Sequence, residues 1–230
     1  EFLSGEDGEA ILRMARANDY SYADVKSLGS IKPLEGMDVK HIDQVLELDL
    51  VLPDKIKKKN FRVAIDCVNS VAGIILPQLL KALGVDDVIE LYCDPTGDFP
   101  HNPEPLPENL TEISELVVRE KADVGFVVDP DVDRLAIVCE DGTMFGEEYT
   151  LVAVSDYILS KTPGNTASNL SSTRALRDVT EGYDQSYFPS AVGEVNVVNV
   201  IKAQNCVIGG EGNGGNCRPG FYKRRYRQPG

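Results

Sequence analysis

Three aspartates at alternate positions form the strongest chemical signal in the sequence. Asp129, Asp131 and Asp133 lie in a short turn, residues 129–134, which we call the acidic loop. On one tight turn these carboxylates would repel one another strongly unless a cation neutralised them. Hard oxygen ligands favour Mg2+, Ca2+ or Mn2+, and three side-chain ligands leave positions for phosphate oxygens or water, which suits Mg2+. The acidic loop therefore predicts a divalent-cation site.

Two other interpretations apply to the acidic loop. Glu140 is the twelfth residue counted from Asp129, where an EF-hand has its last ligand, but the sixth position of an EF-hand needs a glycine and here holds Arg134. The residues after Arg134 also continue as an apolar run instead of a flexible loop. An EF-hand is therefore not predicted, whereas an acidic surface turn that binds nothing stays open as an alternative.

A glycine-rich segment is the second candidate site. Residues 209–215, which we call the glycine loop, follow an apolar run and contain one carboxylate, Glu211, and one amide, Asn213. Glycines let the backbone approach a ligand closely, and the two polar side chains suit vicinal hydroxyls. No G-x-G-x-x-G opens a helix here, so the segment is not a dinucleotide fingerprint. By itself, such a segment is more often only a turn.

Alternating strand and helix patterns position both loops. From residue 61 onward, apolar β-branched runs alternate with helical periodicity, which predicts an α/β fold in two similar units. The first unit is predicted to contain strand 63–67, helix 72–83, strand 88–93, helix 107–120, strand 123–129 and strand 135–140. The second is predicted to contain helix 148–160, strand 166–171, helix 173–181, strand 185–190, helix 194–203 and strand 206–208. Each candidate loop thus follows a predicted strand, and the two units share no sequence period.

The pattern is weaker before this alternation begins. Residues 5–8 predict a turn that leads into a short helix over 9–18, and nothing up to residue 40 predicts a strong strand. Residues 41–58 predict a helix that lies on the following unit.

Composition and charge exclude several functional classes. The chain has 230 residues, 42% of them hydrophobic and 26% charged, as expected for globular protein. A formal net charge of −14 disfavours nucleic acids and anionic membranes as partners, because both would repel it. Five cysteines form no CxxC pair and predict buried, reduced thiols, among them Cys67, Cys139 and Cys206. Neither a signal segment nor an 18-residue apolar span is present, so we expect a cytoplasmic protein.

Taken together, these motifs resemble the phosphohexomutase family, which includes phosphoglucomutases, phosphomannomutases and phosphoglucosamine mutases. The acidic loop resembles the family's metal loop, usually D-G-D-x-D-R, and residues 210–215 resemble its sugar loop, usually G-E-x-S-G-G. Residues 66–73 resemble the start of the family's second domain. Residues 97–105, which we call the proline-rich loop, resemble a loop of that domain. The resemblance extends over about 60–215 and concerns the second and third domains.

This resemblance implies a magnesium-dependent enzyme of four domains. Such enzymes move a phosphoryl group between positions 1 and 6 of a hexose through a phosphoserine and a hexose 1,6-bisphosphate intermediate. The resemblance implies that the three aspartates of the acidic loop hold Mg2+ and that Arg134 steadies the phosphoserine or the loop. Glu211 and Asn213 would then contact sugar hydroxyls. Gly193 and Glu194 fall where the third domain has its specificity loop, although Glu194 could equally be an N-cap.

The resemblance also predicts how the chain is divided. We expect an α/β fold of two similar α/β/α domains with mixed sheets: a remnant of a first domain or a linker at 1–40, a second domain at 41–145, and a third at 146–230. The end of the third domain is atypical, because residues 218–230 contain five basic residues and no acidic one. The expected partners are hexose phosphates, hexose 1,6-bisphosphate, and the first and fourth domains of the same protein.

The sequence departs from the family pattern at several positions. Pro130 and Val132 replace small residues of the metal loop, and Asn213 stands where many members have serine. The family's catalytic serine, followed by His-Asn-Pro, does not occur, because the His-Asn-Pro at 101–103 follows Pro100. We therefore expect the isolated chain to be inactive. The alternative is a non-catalytic module that binds a sugar phosphate or a metal.

Overall fold

The computed structural model describes residues 3–146 and 148–212, and the backbone of 216–217. The chain divides into two units, residues 1–37 and 38–230. The first unit contains helix α1 (Gly5–Arg16). This helix begins at Gly5 instead of at the predicted residue 9, because the Ser4 hydroxyl accepts the N–H of Asp7 and the Asp7 carboxylate accepts the N–H of Ser4. This reciprocal capping box starts the helix inside the segment that we predicted to be a turn.

The second unit begins with two short helices, α2 (Met37–Leu46) and α3 (Pro53–Lys57). The prediction of one helix over 41–58 is therefore wrong. Pro53 has no N–H and suits the first turn of a helix, so it starts α3 instead of continuing α2.

The next elements form a four-stranded sheet with helices on both faces. In order along the chain, they are β1 (Arg62–Asp66), α4 (Ala72–Ala82), β2 (Asp87–Leu91), α5 (Thr111–Glu120), β3 (Val124–Val128) and β4 (Leu135–Cys139). The strand order is β2-β1-β3-β4, with β1 parallel to β2 and β3, and β4 antiparallel to β3. Helix α5 begins at Thr111, later than the predicted 107, because residues 107–109 form a separate 3-10 turn.

A second sheet repeats this arrangement. Its elements are α6 (Tyr149–Leu159), β5 (Thr166–Asn169), α7 (Ala175–Gly182), β6 (Tyr187–Ser190), α8 (Glu194–Ala203), β7 (Ile208–Gly210) and β8 (Asn216–Cys217). The strand order is β6-β5-β7-β8, and again only the last pair is antiparallel. The predicted fold of two similar α/β/α domains with mixed sheets is confirmed.

Each sheet has an apolar cluster on both faces. We call the domain of β1–β4 the first domain and that of β5–β8 the second domain. In the first domain, Ile113 and Val117 of α5 pack against Ala64 on one face of the sheet, while Ile65 packs with Leu80 of α4 on the other. In the second, helix α8 covers one face of the sheet, and α6 with α7 covers the other. Complete burial of a side chain such as Ile113 contributes about 1.5–3 kcal/mol, so these clusters fix the frame that carries the loops.

In both domains, the first strand pairs with the third strand of the domain, β1 with β3 and β5 with β7, and each pair of strands places two small residues opposite each other. Ala64 pairs with Gly125 in the first sheet, and Ala167 pairs with Gly209 in the second. Each alanine lies two residues before the last residue of its strand, which is Asp66 in β1 and Asn169 in β5. The two strand ends are therefore structurally equivalent, although the sequence shows no repeat.

Two of the four described cysteines are buried, and two, Cys93 and Cys139, are only half-buried. Cys67 and Cys206 are buried free thiols, as predicted. Cys139, predicted to be buried, is only half-buried because it ends the edge strand β4. No helix in the described part of the chain is both long enough and apolar enough to cross a membrane.

Candidate functional site

The acidic loop connects β3 to β4 at the carboxyl end of the first sheet. Asp129 is buried, and its Oδ1 accepts the backbone N–H groups of Asp133 and Arg134, both at 3.0 Å. A further bond from the N–H of Val132 to the carbonyl oxygen of Asp129, 3.1 Å, closes the turn. Val132 has a φ of 64°, in the left-handed region that β-branched residues avoid. Asp129 thus shapes the loop as well as supplying a carboxylate.

The loop brings its three aspartates together as the sequence predicts. One carboxylate oxygen from each of Asp129, Asp131 and Asp133 lies within 4.8 Å of the others. Asp131 and Asp133 are exposed, whereas Asp129 is buried. All the ligand atoms are hard carboxylate oxygens, so this donor set fits Mg2+ or Ca2+ better than a softer metal.

Arg134 contacts the proline-rich loop. Its guanidinium forms an ion pair with the carboxylate of Glu104. The amide of Asn109 donates to the carbonyl oxygen of Glu104 at 2.8 Å, which holds that part of the loop. Glu104 was not predicted as a site residue, although its loop was recognised as a family motif.

The proline-rich loop is itself anchored to the end of β1. His101 Nε2 lies 3.0 Å from Asp66 Oδ2, and His101 Nδ1 lies 2.8 Å from the carbonyl oxygen of Asn102. Asp66 is almost fully buried, and burial raises its pKa above the ordinary value. Hydrogen bonds from the N–H of Val68 and from His101 offset only part of that rise. Asp66 and His101 therefore form a partly buried pair that sequence reasoning did not assign to the site.

The first two residues of the glycine loop form the end of β7, and the loop then leaves the carboxyl end of the second sheet. Glu211 is half-buried, and its Oε1 accepts two hydrogen bonds of 2.8 Å, from Asn169 Nδ2 and from the backbone N–H of Gly193. The N–H of Gly212 donates to the Ser172 hydroxyl at 2.9 Å. The structure thus joins two predicted site residues, Glu211 and Gly193, through one carboxylate oxygen.

The other predicted residues of this site are placed differently. Glu194 is exposed and is the first residue of α8, whose N-cap is Gly193, so an N-cap role for Glu194 is wrong. Gly193 has a φ of 112°, which only glycine adopts readily. Asn213 lies outside the described residues.

Two residues at the end of β5 and just after it were missed by the sequence analysis. Asn169 and Ser172 contact the glycine loop directly, yet they lie 42 and 40 residues from their partners along the chain. The available signal was their position, since polar residues at the carboxyl ends of parallel strands commonly form ligand sites.

Both domains match known family patterns. The pattern described as "Phosphoglucomutase/phosphomannomutase, alpha/beta/alpha domain II" matches residues 39–142. The pattern of "alpha/beta/alpha domain III" from the same family matches residues 146–224. These ranges contain the acidic loop and the glycine loop, respectively.

Related proteins carry mutase names. The chain is 32% identical over 198 residues to the "Probable phosphoglucosamine mutase" of Methanopyrus kandleri. This alignment covers 85% of this chain and 42% of that protein. It is 30% identical over 229 residues to the phosphomannomutase/phosphoglucomutase of Pseudomonas aeruginosa, covering 98% of this chain and 46% of that protein. The chain therefore spans less than half the length of these curated relatives.

Solved structures agree on the fold. A phosphoglucomutase/phosphomannomutase family protein from Burkholderia thailandensis superposes with a TM-score of 0.76 at 22% identity, over 95% of this chain and 46% of that one. The family resemblance noted from the motifs is confirmed. This chain belongs to the phosphoglucomutase/phosphomannomutase family of phosphohexomutases and contains its domains II and III.

Proposed function

We propose that this chain supplies the magnesium-binding and sugar-binding domains of a phosphohexomutase that interconverts hexose 1-phosphates and hexose 6-phosphates. The observation that carries the proposal is the convergence of three carboxylates on one turn at the carboxyl end of β3. In a mixed α/β sheet this edge is where ligands ordinarily bind. The family named above supports the same reaction class.

In this proposal the acidic loop is the metal site. Asp129, Asp131 and Asp133 would hold Mg2+, which would offset negative charge on the phosphoryl group during transfer. Arg134 would steady the acidic loop or the phosphoserine of the family's domain I. Its pairing with Glu104 supports a positioned guanidinium, because an anchored arginine loses less side-chain entropy on binding a phosphate.

The glycine loop is the proposed sugar site. Glu211 would accept a hydrogen bond from a sugar hydroxyl, Asn213 would contribute a second contact, and Gly193 and Glu194 would line the same site. Hexose phosphates and hexose 1,6-bisphosphate are the proposed ligands. The mutase names of the relatives include glucosamine, mannose and glucose, so the proposal is limited to hexose phosphates as a class.

We also propose that this chain alone turns over no hexose phosphate. Its 230 residues contain no serine followed by His-Asn-Pro, the motif of the family's nucleophile. Activity would require the family's domains I and IV. The four described cysteines are free thiols, which suits the cytoplasm as the proposed compartment.

A calorimetric titration of Mg2+ into the chain tests the proposal, with and without a hexose 1,6-bisphosphate. We expect saturable binding by the wild type and at least about a tenfold loss of affinity in Asp131→Ala, because one of three charged ligands is removed. Asp94→Ala is the matched control, since it removes an exposed aspartate of the same domain outside the acidic loop. Equal Mg2+ affinity in wild type and Asp131→Ala would refute the metal site.

A further inference from the structure

Asn169 occupies the end of β5, where three loops of the second domain meet. It is 2% exposed, and its Oδ1 accepts three hydrogen bonds, from the hydroxyl of Ser171 at 3.1 Å and from the N–H and hydroxyl of Ser172 at 3.0 and 2.6 Å. Three donors on one side of a carboxamide leave only one orientation, in which the oxygen faces the serines. Asn169 Nδ2 must therefore point in the opposite direction.

That direction leads to Glu211. Its Oε1 receives the Asn169 Nδ2–H bond and the Gly193 N–H bond, both at 2.8 Å. Hydrogen bonds to an ionised carboxylate are about twice as strong as those between neutral groups. Oε1 is thus fully engaged in holding loops together, while Oε2 accepts no bond from the described residues.

The hydroxyl of Ser172 extends this connection to the glycine loop. It donates to Asn169 Oδ1 and accepts the N–H of Gly212. Asn169 is therefore linked to the β7–β8 loop in two ways. It bonds directly to Glu211, and Ser172 connects it to Gly212. The β6–α8 loop joins through Gly193.

We propose that Asn169 is a positioning residue that limits Glu211 to one free carboxylate oxygen. This inference rests on the proposed sugar-binding role of the glycine loop. Because Oε1 is committed, Glu211 accepts bonds from the hydroxyls of a hexose phosphate only through Oε2, so its two oxygens cannot each take one of two vicinal hydroxyls. Asn169 thereby sets both the direction of Glu211 and which of its oxygens meets the sugar.

The sharpest variant is Asn169→Asp. It keeps the shape of the side chain and an acceptor for the serines, but it replaces the N–H donor with an oxygen facing the Glu211 carboxylate. Two like charges at hydrogen-bond distance cannot both stay ionised there, so Glu211 turns away or the two carboxyl groups share one proton. In both cases Glu211 Oε1 moves or carries less negative charge, which weakens the charge-assisted bond from Gly193.

Asn165→Asp is the matched control. Asn165 precedes β5 at the opposite end of the strand, donates to the carbonyl oxygen of Gln204 and accepts from the N–H of Ser186. The same substitution there removes one side-chain N–H donor and keeps the acceptor, as Asn169→Asp does, in the same domain without touching Glu211. It separates a general loss of stability from a specific effect on the glycine loop.

Two measurements on the whole chain decide the outcome. The first is the amide NMR resonance of Gly193, with its hydrogen-exchange rate; the second is titration with glucose 1-phosphate as the probe. We expect Asn169→Asp to shift the Gly193 resonance, speed its exchange and weaken probe binding about tenfold, while Asn165→Asp changes neither. Adding Glu211→Gln to Asn169→Asp lets the new amide donate to the introduced carboxylate, but an amide nitrogen in the place of Oε1 cannot accept the Gly193 N–H, so the Gly193 resonance should stay shifted.

The two proposals fail in different ways. A wild type that does not bind the probe overturns the sugar-binding role of Glu211, while the Gly193 amide still reports whether Asn169 positions Glu211. An unchanged Gly193 amide in Asn169→Asp overturns the positioning role. Wild-type probe affinity in that variant overturns it equally.

Discussion

The two domains share one strand order but fix their loops in different ways. In the first domain, Asp129 accepts N–H groups from Asp133 and Arg134, only four and five residues further along the chain. In the second, Glu211 accepts donors from Asn169 and Gly193, which lie 42 and 18 residues away. The acidic loop is therefore built locally, whereas the glycine loop depends on two other loops.

The equivalent strand ends show the same contrast in chemical form. Asp66, at the end of β1, is ionisable and faces His101. Asn169, at the end of β5, is neutral and faces a carboxylate. The same sheet arrangement thus ends in an ionisable carboxyl group in the first domain and in an amide that donates a hydrogen bond in the second. Fold alone does not determine the chemistry of such edges.

The largest effect should come from the glycines that face the central strands. A Cβ at Gly209 would lie 2.4 Å from the backbone oxygen of Ala167, whereas a Cβ at Gly125 would first meet a side-chain methyl of Val117 at 2.9 Å. Side chains can adjust, but a paired strand cannot. We expect Gly209→Ala to lower the free energy of unfolding by about 3 kcal/mol or more and Gly125→Ala by about 1–2 kcal/mol, measured by urea denaturation.

Gly182→Ala serves as the control for these substitutions. Nothing lies within 4 Å of a Cβ at Gly182, so this variant should be neutral or slightly stabilising at the end of α7. A larger loss at Gly125 than at Gly209 would show that the second sheet is the more adaptable of the two.

An intermediate effect is expected where the acidic loop is tied. Asp129→Ala removes the acceptor of two partly buried N–H groups and should lower the metal-free stability by about 1–2 kcal/mol. Asp131→Ala should change it by less than about 0.5 kcal/mol, because Asp131 is exposed. Urea denaturation with a chelator present measures both. Equal losses would mean that the loop is not held by Asp129.

The smallest effect concerns pH and the Asp66 strand end. Burial raises the pKa of Asp66 above its ordinary value of 3.8, so the folded state binds this proton more tightly than the unfolded state. The associated stability is fully present below the ordinary value and is lost as pH rises through the raised value. Asp66→Asn should reduce the decrease in the free energy of unfolding that the wild type shows from about pH 4 upward. Urea denaturation at several pH values measures this difference.

The comparison with the second domain provides the control for that prediction. Asn169 already has the neutral side chain at the equivalent strand end, so Asp66→Asn makes the two edges alike. A variant that keeps the full pH dependence of the wild type would assign that dependence to other groups.

The order of elements was predictable because apolar strands and amphipathic helices have distinct periods. The acidic loop was predictable because its three aspartates are consecutive alternate residues, so their convergence needs no distant contact. Two local errors concerned the ends of helices. The capping pair Ser4 and Asp7 extended α1, and Pro53 divided the helix predicted at 41–58. Both signals are short and were outweighed by the longer apolar pattern.

The contacts that position the site residues could not be predicted in the same way. Asn169 meets Glu211 only because β5 and β7 are neighbours in the sheet, and that pairing is set by tertiary structure. The same holds for Glu104, which reaches Arg134 across two loops. Residue type and spacing identified which groups could do chemistry, but the three-dimensional strand order decided which groups orient them.

The outer strand of the second sheet carries a further consequence. Pro189 lies within β6 and pairs with Ser168, so one position of this edge strand has no N–H to offer. Open strand edges invite pairing with other chains, and a proline interrupts the row of donors that such pairing needs. In the first sheet, the edge strand β2 instead exposes the charged residues Asp87 and Glu90. The outer strands β6 and β2 are thus protected against aggregation in different ways, β6 by a missing donor and β2 by charge.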